Sequence, residues 1–262
     1  MIILLTNDDG IDSGGLQKLA EVLQSNGNYR VFVVAPDADR SGVSHGISII
    51  NGPVKLCPRG EDTFSCSGNP ADCVIAGVLG GLPARPDLVL SGINRGANLG
   101  TDLIFSGTAA AARQASLFGI PGIALSLHRV DADGPGEYYW DMAASWAAEN
   151  LEVLLSFWRE HSFVNVNIPN SLGGPRGIAA SWPAVKSYSD RMEVQAAPDG
   201  SRLCVLLPGK EKTVKETGSD CDVVSRNYVS VSSVVNLPVV LGDLCPGAPA
   251  HAAVADRAAD RV

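Results

Sequence analysis

Short aliphatic runs at residues 2–5, 29–34, 87–90, 122–127 and 163–168 alternate with stretches of helical spacing, and no other feature of this chain restricts its fold as much. An apolar, β-branched run of this length reads as a buried strand, and an intervening amphipathic stretch as a crossover helix. The first repeat is complete. Leu16, Leu19, Ala20 and Leu23 fall at i, i+3, i+4 and i+7 behind Ser13, a residue suited to an N-cap, and Asn26-Gly27 supplies the stop. Strand, helix, strand in that order requires a parallel pair with a right-handed crossover. Further helices are expected from Pro70 to about residue 79, over 107–118 and over 137–160, with less regular strand-like pieces at 47–50 and 63–66. The alternation over residues 1–170 specifies the α/β class, with a doubly wound, mostly parallel sheet.

Beyond Asn170 the texture shifts to Gly, Pro and Ser with β-like stretches at 203–207 and 228–235. Residues 171–246 therefore read as a C-terminal β-hairpin extension, and 247–262, rich in Ala and charge, as a frayed tail.

The formal net charge of −8 excludes long nucleic acid as a nonspecific partner, because that needs a basic footprint. Small anions stay within reach, since a bound cation or a helix N-terminus holds them despite a negative surface. No apolar run approaches the ~18–20 residues of a membrane span. Residues 1–7 carry no basic segment and run straight into Asp8, as a first strand does and a signal peptide does not. The six cysteines are irregularly spaced with no C-x-x-C pair, which suits reduced thiols and a cytoplasmic location. No G-x-G-x-x-G follows the first strand, and neither G-x-x-x-x-G-K-[ST] nor G-x-S-x-G occurs, so dinucleotide-binding, P-loop and α/β-hydrolase readings are disfavoured.

Three loops after predicted strands carry the polar residues, and ligands of open parallel sheets bind beyond such strand ends. The first is Thr6-Asn7-Asp8-Asp9-Gly10. Adjacent carboxylates repel each other unless a cation compensates them, and Mg²⁺ or Mn²⁺ suits oxygen ligands of this kind. An Asx-turn or helix cap would use the same residues without any metal. The second loop, Asp37-Ala38-Asp39-Arg40-Ser41-Gly42-Val43-Ser44-His45, offers hydroxyls, two acids and an imidazole, or is simply a solvated turn. His45 has no His or Cys partner at zinc spacing. The third runs from Ser91 through Asn94, Asn98 and Gly100 to Ser106-Gly107-Thr108. So long a connection rich in Gly and Asn is uncommon unless it is functional. Ser106 stands at the N-cap of the 107–118 helix, whose free N–H groups, with the Ser and Thr hydroxyls, form an anion site.

At these loops the chain resembles the survival protein E (SurE) family of metal-dependent nucleotidases and acid phosphatases. The matching residues are Leu5-Thr6-Asn7-Asp8-Asp9-Gly10-Ile11, Ala35-Pro36-Asp37 with Arg40-Ser41-Gly42-Val43-Ser44-His45, and Ser91-Gly92-Ile93-Asn94 with Gly96, Asn98-Leu99-Gly100 and Ser106-Gly107-Thr108. Pro70-Ala71-Asp72-Cys73-Val74 and Val164-Asn165-Val166-Asn167-Ile168-Pro169 belong to the same resemblance. It implies a Rossmann-like core over 1–170 and one Mg²⁺ or Mn²⁺ per subunit, held by Asp8, Asp9, Ser41 and Asn94. Asn98, Ser106, Gly107 and Thr108 would bind the substrate phosphate. The implied reaction is hydrolysis of nucleoside 5′- and 3′-monophosphates to nucleoside and inorganic phosphate, extending in some members to short polyphosphate, with Asp8 and Asp9 the catalytic pair. Residues 171–246 would join subunits into a homodimer or homotetramer. Gly46 where Ser is usual, Phe105 where Tyr is common, Arg113-Gln114-Ala115 in place of an acid-bearing stretch, and Asn227 before Tyr228 depart from the family pattern.

Two other readings remain. A haloacid-dehalogenase-like phosphatase would form an aspartyl phosphate, but that class wants D-x-D after its first strand, and Gly10 occupies the third position. A regulatory module would bind nucleotide without hydrolysing it.

Overall fold

The computed structural model describes residues 1–129, 136–214 and 216–238. The expected alternation is present. Strand β1 (Ile2–Thr6), helix α1 (Gly14–Ser25) and β2 (Arg30–Pro36) form the first parallel unit, with Leu4 in register with Phe32. There follow β3 (Leu56–Gly60), β4 (Thr63–Cys66), α2 (Pro70–Val78), β5 (Leu88–Arg95), α3 (Gly107–Leu117) and β6 (Gly122–His128). The alternation closes with α4 (Trp140–Glu149), α5 (Leu151–Ser156) and β7 (Ser162–Pro169). Residues 178–235 contribute β8 (Ile178–Ala180), β9 (Val185–Tyr188), β10 (Arg191–Ala196), β11 (Arg202–Leu207), β12 (Glu211–Val214), α6 (Asp220–Ser225) and β13 (Val229–Val235).

Among the described residues nine strands make one sheet, in the order β3-β4-β2-β1-β5-β6-β7-β13-β8. It is parallel except where β3 meets β4 and where β13 meets β7. Alternation along the strands feeds two cores. Val31, Val33, Val164, Val166 and Ile168 face Leu16, Leu19 and Leu23 of α1 and Ala143, Ala144 and Ala147 of α4. On the other face Phe32 and Val34 meet Cys73, Val74 and Val78 of α2 and Ala111 and Ala115 of α3. Burial of each of the three leucines of α1 stabilises the fold by ~1.5–3 kcal/mol, so the helix is held by its stripe rather than by intrinsic propensity. Helix α3 is lined with alanine, which brings it so close to β6 that a Cβ on Gly122 would lie 2.0 Å from the Ala112 carbonyl oxygen.

Two expected elements differ. Residues 47–50 are not a strand but lead into a 3-10 turn, Ile49–Asn51. The Asp72 carboxylate takes the N–H groups of Ser48 and Ile49 and the Ser48 hydroxyl, so these amides bond to an acid instead of a ladder. The single helix expected over 137–160 is two. Asn150 turns its amide back onto the Trp146 carbonyl (2.8 Å) and separates α4 from α5. Asn170 pins the approach by accepting from Tyr139 N–H and donating to the Glu137 carbonyl, which delays the helix to Trp140.

The stretch expected to form a hairpin extension does so, and part of it also returns to the main sheet. β13 pairs with β7 (Val231 opposite Val166), and β8 adds beyond it. Between them β9 pairs with β12, and β10 with β11, as inner and outer halves of one long hairpin. The tail at 247–262 lies outside the described residues.

Candidate active site

Strand β1 sits between β2 and β5, so the chain leaves β1 toward one side of the sheet and later returns on the other. Such a switch point opens a crevice at the carboxyl ends of the strands. Asp8 and Asp9 follow β1, Asn94 lies at the end of β5 and Ser41 in the loop after β2. The three loops are tied together. Arg40 N–H donates to the Asp8 carbonyl (2.8 Å), Ile11 N–H to the Pro36 carbonyl (2.8 Å) and Ser44 N–H to the Phe105 carbonyl (3.0 Å).

Asp8 is 4% exposed and lies against the start of α3. A Cβ on Gly107 would come within 2.8 Å of the Asp8 Cβ, so only glycine admits this approach. Thr108 donates its hydroxyl to Asp8 Oδ1 and supports the same carboxylate through its main chain. Burial, with the neighbouring charge of Asp9, nevertheless raises the Asp8 carboxyl to about 6, against the lowering effect of Thr108. Asp9 is half-buried, and its Oδ2 accepts from Arg95 N–H (3.0 Å). Its carboxyl is also raised, by burial first and by Asp39, while the Arg95 amide and guanidinium pull it down. Asn94 spends its amide N–H on the Gly96 carbonyl (3.0 Å). Ser41 is exposed, and Asp39 holds it through both its hydroxyl (2.6 Å) and its N–H (2.8 Å).

This donor set fits a hard divalent cation. Asp8 and Asp9 are adjacent, and among the described residues neither forms an ion pair with a Lys or Arg side chain. The Oδ1 atoms of Asp9 and Asn94 take no protein hydrogen bond among the described residues. Also among the described residues, no three carboxylate, imidazole or thiolate groups gather as a metal cluster; the candidate donors are two carboxylates and two neutral oxygens. Oxygen donors of that kind suit Mg²⁺ or Mn²⁺ rather than zinc.

The anion side is more economical than its sequence implies. Ser106 caps α3 by accepting from Ala109 N–H (3.0 Å), and Ala110 N–H goes to the Ser106 carbonyl. Thr108 is committed to Asp8. Among the described residues no group accepts from the Gly107 N–H or the Ser106 hydroxyl, so both could serve an anion. Asn98 is buried, with its amide donating to the Ser126 hydroxyl (2.8 Å), while Asn165 and Asn167 on β7 grip its main chain. His45 is hydrogen-bonded to Gln114 (2.9 Å), and burial lowers its imidazole. Asp39, Arg95 and the two asparagines of β7 lie in stretches that the sequence singled out, but their roles in holding Ser41, Asp9 and Asn98 were not assigned there. The asparagines carry the clearest signal, as polar residues at alternate positions in an otherwise aliphatic strand.

A protein-family model described as Survival protein SurE matches residues 3–190. The 5′-nucleotidase SurE of Pelobacter propionicus is 36% identical over 233 residues, covering 88% of this chain and 92% of that protein. Its counterpart in Carboxydothermus hydrogenoformans is 38% identical over 245 residues, covering 89% and 90%. Among solved structures, the SurE protein of Aquifex aeolicus superposes with a TM-score of 0.76 at 33% identity, over 91% of this chain and 95% of that one.

Proposed function

The chain belongs to the survival protein SurE family, and from that membership we propose that Asp8, Asp9, Ser41 and Asn94 hold one Mg²⁺ or Mn²⁺ at which a substrate phosphate is cleaved. The protein is a 5′-nucleotidase, hydrolysing nucleoside monophosphates to nucleoside and inorganic phosphate. Cleavage of 3′-nucleotides and of short polyphosphate belongs to the same proposal, because nothing in the phosphate contacts depends on the base.

The observation that carries the site assignment is the contact between Asp8 and Gly107. It sets a buried carboxylate beside its charged neighbour and against the N-terminus of α3. Phosphoryl transfer needs positioning and charge stabilisation more than covalent chemistry. A bound divalent ion would supply positive charge to the phosphoryl oxygens and the leaving oxygen. The chain's own residues do the rest. Thr108 and Arg95 fix the two carboxylates, Asn94 and Ser41 present neutral oxygens, and the Gly107 N–H with the Ser106 hydroxyl holds a remaining phosphate oxygen. Asn98 orients the loop that leads to them.

We also assign residues 1–170 to the catalytic core and the hairpin within 171–246 to assembly of a homodimer or homotetramer. Every residue of β10 and β11 is exposed, among them Met192, Leu203 and Leu206 at 56–58%. A bare two-stranded ribbon of that composition is not stable alone in water. No helix among the described residues is long and apolar enough to cross a membrane, and the described cysteines are free thiols, in keeping with a cytoplasmic location.

Release of orthophosphate from 5′-AMP or 5′-GMP with Mn²⁺, abolished by EDTA, tests the reading. Nucleotide binding with no phosphate release would replace it by the regulatory module, and an acyl phosphate trapped on Asp8 by the dehalogenase-like route.

A further inference from the structure

The loop that leads into the anion site is held by residues far away in sequence, and one of these, fully buried, is a carboxylate of the C-terminal extension. Asp220, the first residue of α6, has no exposed surface. Its Oδ2 accepts from Gly100 N–H (2.7 Å), and its Oδ1 from Ala184 N–H (2.9 Å) and Cys221 N–H (2.8 Å). A fully buried carboxylate is tolerated only when it is paired or hydrogen-bonded, and bonds from N–H groups to a charged oxygen are among the stronger ones. Capping of α6 does not explain it. Ser219 is the N-cap and accepts from Asp222 N–H. The bond to Gly100 is therefore additional, and it spans 120 residues.

The surroundings of Gly100 agree. Its φ is +57°, and a Cβ there would fall 2.3 Å from the Ala184 carbonyl oxygen. Leu99 packs with Ala184, Cys221 and Val224. Thr101 accepts from Lys186 N–H (3.0 Å), and Asp102 pairs with Lys186 Nζ (2.5 Å) and Tyr188 Oη (2.5 Å). On the other side of the segment, Asn167 and Asn165 bond to the N–H and carbonyl of Asn98. The 3-10 turn Gly100–Ile104 then delivers Phe105 and Ser106 to the start of α3.

We propose that Asp220 is a positioning residue for phosphate binding: by fixing Gly100 against the extension, it sets the segment from Asn98 to Ser106 before substrate arrives. Residues 171–235 thereby shape the site as well as any assembly. The inference rests on the phosphate reading above and deepens it. Preformed donors need no reordering when the anion binds, so loosening Gly100 weakens phosphate binding and leaves the metal side, at Asp8, Asp9, Ser41 and Asn94, unaltered.

Asp220→Asn keeps the shape but must turn an amide toward one of the three N–H groups it now accepts. The expected result is a rise of about tenfold in KM for 5′-AMP and in Ki for orthophosphate, the scale of one lost charge-assisted hydrogen bond. Mn²⁺ affinity, measured calorimetrically on the full chain, stays within twofold of the parent. A purely structural role would lower Tm and leave KM and Ki in place at temperatures well below it. Ser181→Ala, which removes a hydroxyl bonded to Ser230 and Ser232 in the same region, is the control and should move neither constant. KM and Ki within twofold of the parent for a folded Asp220→Asn overturn the inference. Ser106→Ala separates the two readings. If it too leaves Ki unmoved, the phosphate assignment falls; if it raises Ki while Asp220→Asn does not, only the role of Asp220 falls. Should Asp220→Asn not fold, amide exchange in the unaltered protein decides. Gly100 and Asn98 amides protected like those of β5–β7 without phosphate support the proposal, and exchange at the rate of exposed turns refutes it.

Discussion

Replacing Asp8 by Asn should stabilise the metal-free protein while removing its activity. The folded-state carboxyl lies at about 6 against an ordinary 3.8, because burial disfavours the charged form and Asp9 adds to the penalty. At ~1.4 kcal/mol per pH unit, holding Asp8 ionised above neutrality costs the fold about 3 kcal/mol. The amide of Asn carries no charge, and its oxygen still accepts the Thr108 hydroxyl. Its NH₂ faces the main-chain N–H at Thr108 less well, which leaves a net gain of about 2 kcal/mol. For a chain of this size that raises Tm by roughly 4–8 °C. The direction with pH follows from a carboxyl whose folded pKa is raised. Its penalty is absent below about 3.8, grows as pH rises toward 6 and is constant above that. In EDTA the gap between variant and parent should therefore widen from pH 4.5 to pH 6.5 and then level off. Saturating Mn²⁺ should reverse the order, because only the parent gains binding free energy. The assay is calorimetry or fluorescence-monitored melting of both proteins across that pH range, with phosphate release from 5′-AMP measured alongside. A variant less stable than the parent in EDTA at pH 8, a gap that ignores pH, or an unchanged kcat would refute the reasoning.

Gly107→Ala places a methyl group 2.8 Å from the Asp8 Cβ, so kcat with Mn²⁺ should fall by tenfold or more while circular dichroism still reports a folded α/β protein. Ser106→Ala removes the cap on α3, which should lower stability by about 1 kcal/mol in urea titration and raise KM for nucleotide more than it lowers kcat. Leu206→Glu combined with Met192→Glu should reduce the mass measured by light scattering to that of a smaller assembly, since both side chains stand exposed on the ribbon. An unchanged mass would remove that ribbon from the interface.

Much of the core was legible along the chain because its signals are local. The i, i+3, i+4, i+7 spacing of Leu16, Leu19, Ala20 and Leu23 is a property of one helix, and the aliphatic runs of β1, β2, β5, β6 and β7 are properties of single strands. The 3-10 turn at Ile49–Asn51 was not legible, since the Asp72 carboxylate that claims its amides lies over 20 residues away. Asn170 delayed the expected long helix for the same reason, through Tyr139 and Glu137 more than 30 residues before it, whereas Asn150 broke it locally, by turning its amide onto the Trp146 carbonyl, which helical periodicity does not report.

For the candidate site, residue order alone offered a carboxylate pair after the first strand, polar loops after two later strands and a cap-bearing helix start, and the family resemblance singled out Asp8, Asp9, Ser41 and Asn94 among them. Which atoms remain available was decided only by the fold. Thr108 reads as a phosphate ligand in one dimension, yet its hydroxyl belongs to Asp8 once Gly107 lets α3 close onto that carboxylate. Asn98 reads as a free amide, yet one of its side-chain N–H groups goes to Ser126 and its main chain to β7. Asp220 carried no signal in its own neighbourhood, because its partner Gly100 is 120 residues away. Sequence by itself determined which polar groups are present and which elements carry them. Tertiary structure alone decided who bonds to whom, because a hydrogen bond depends on distances of a few ångströms that packing, and not chain order, sets.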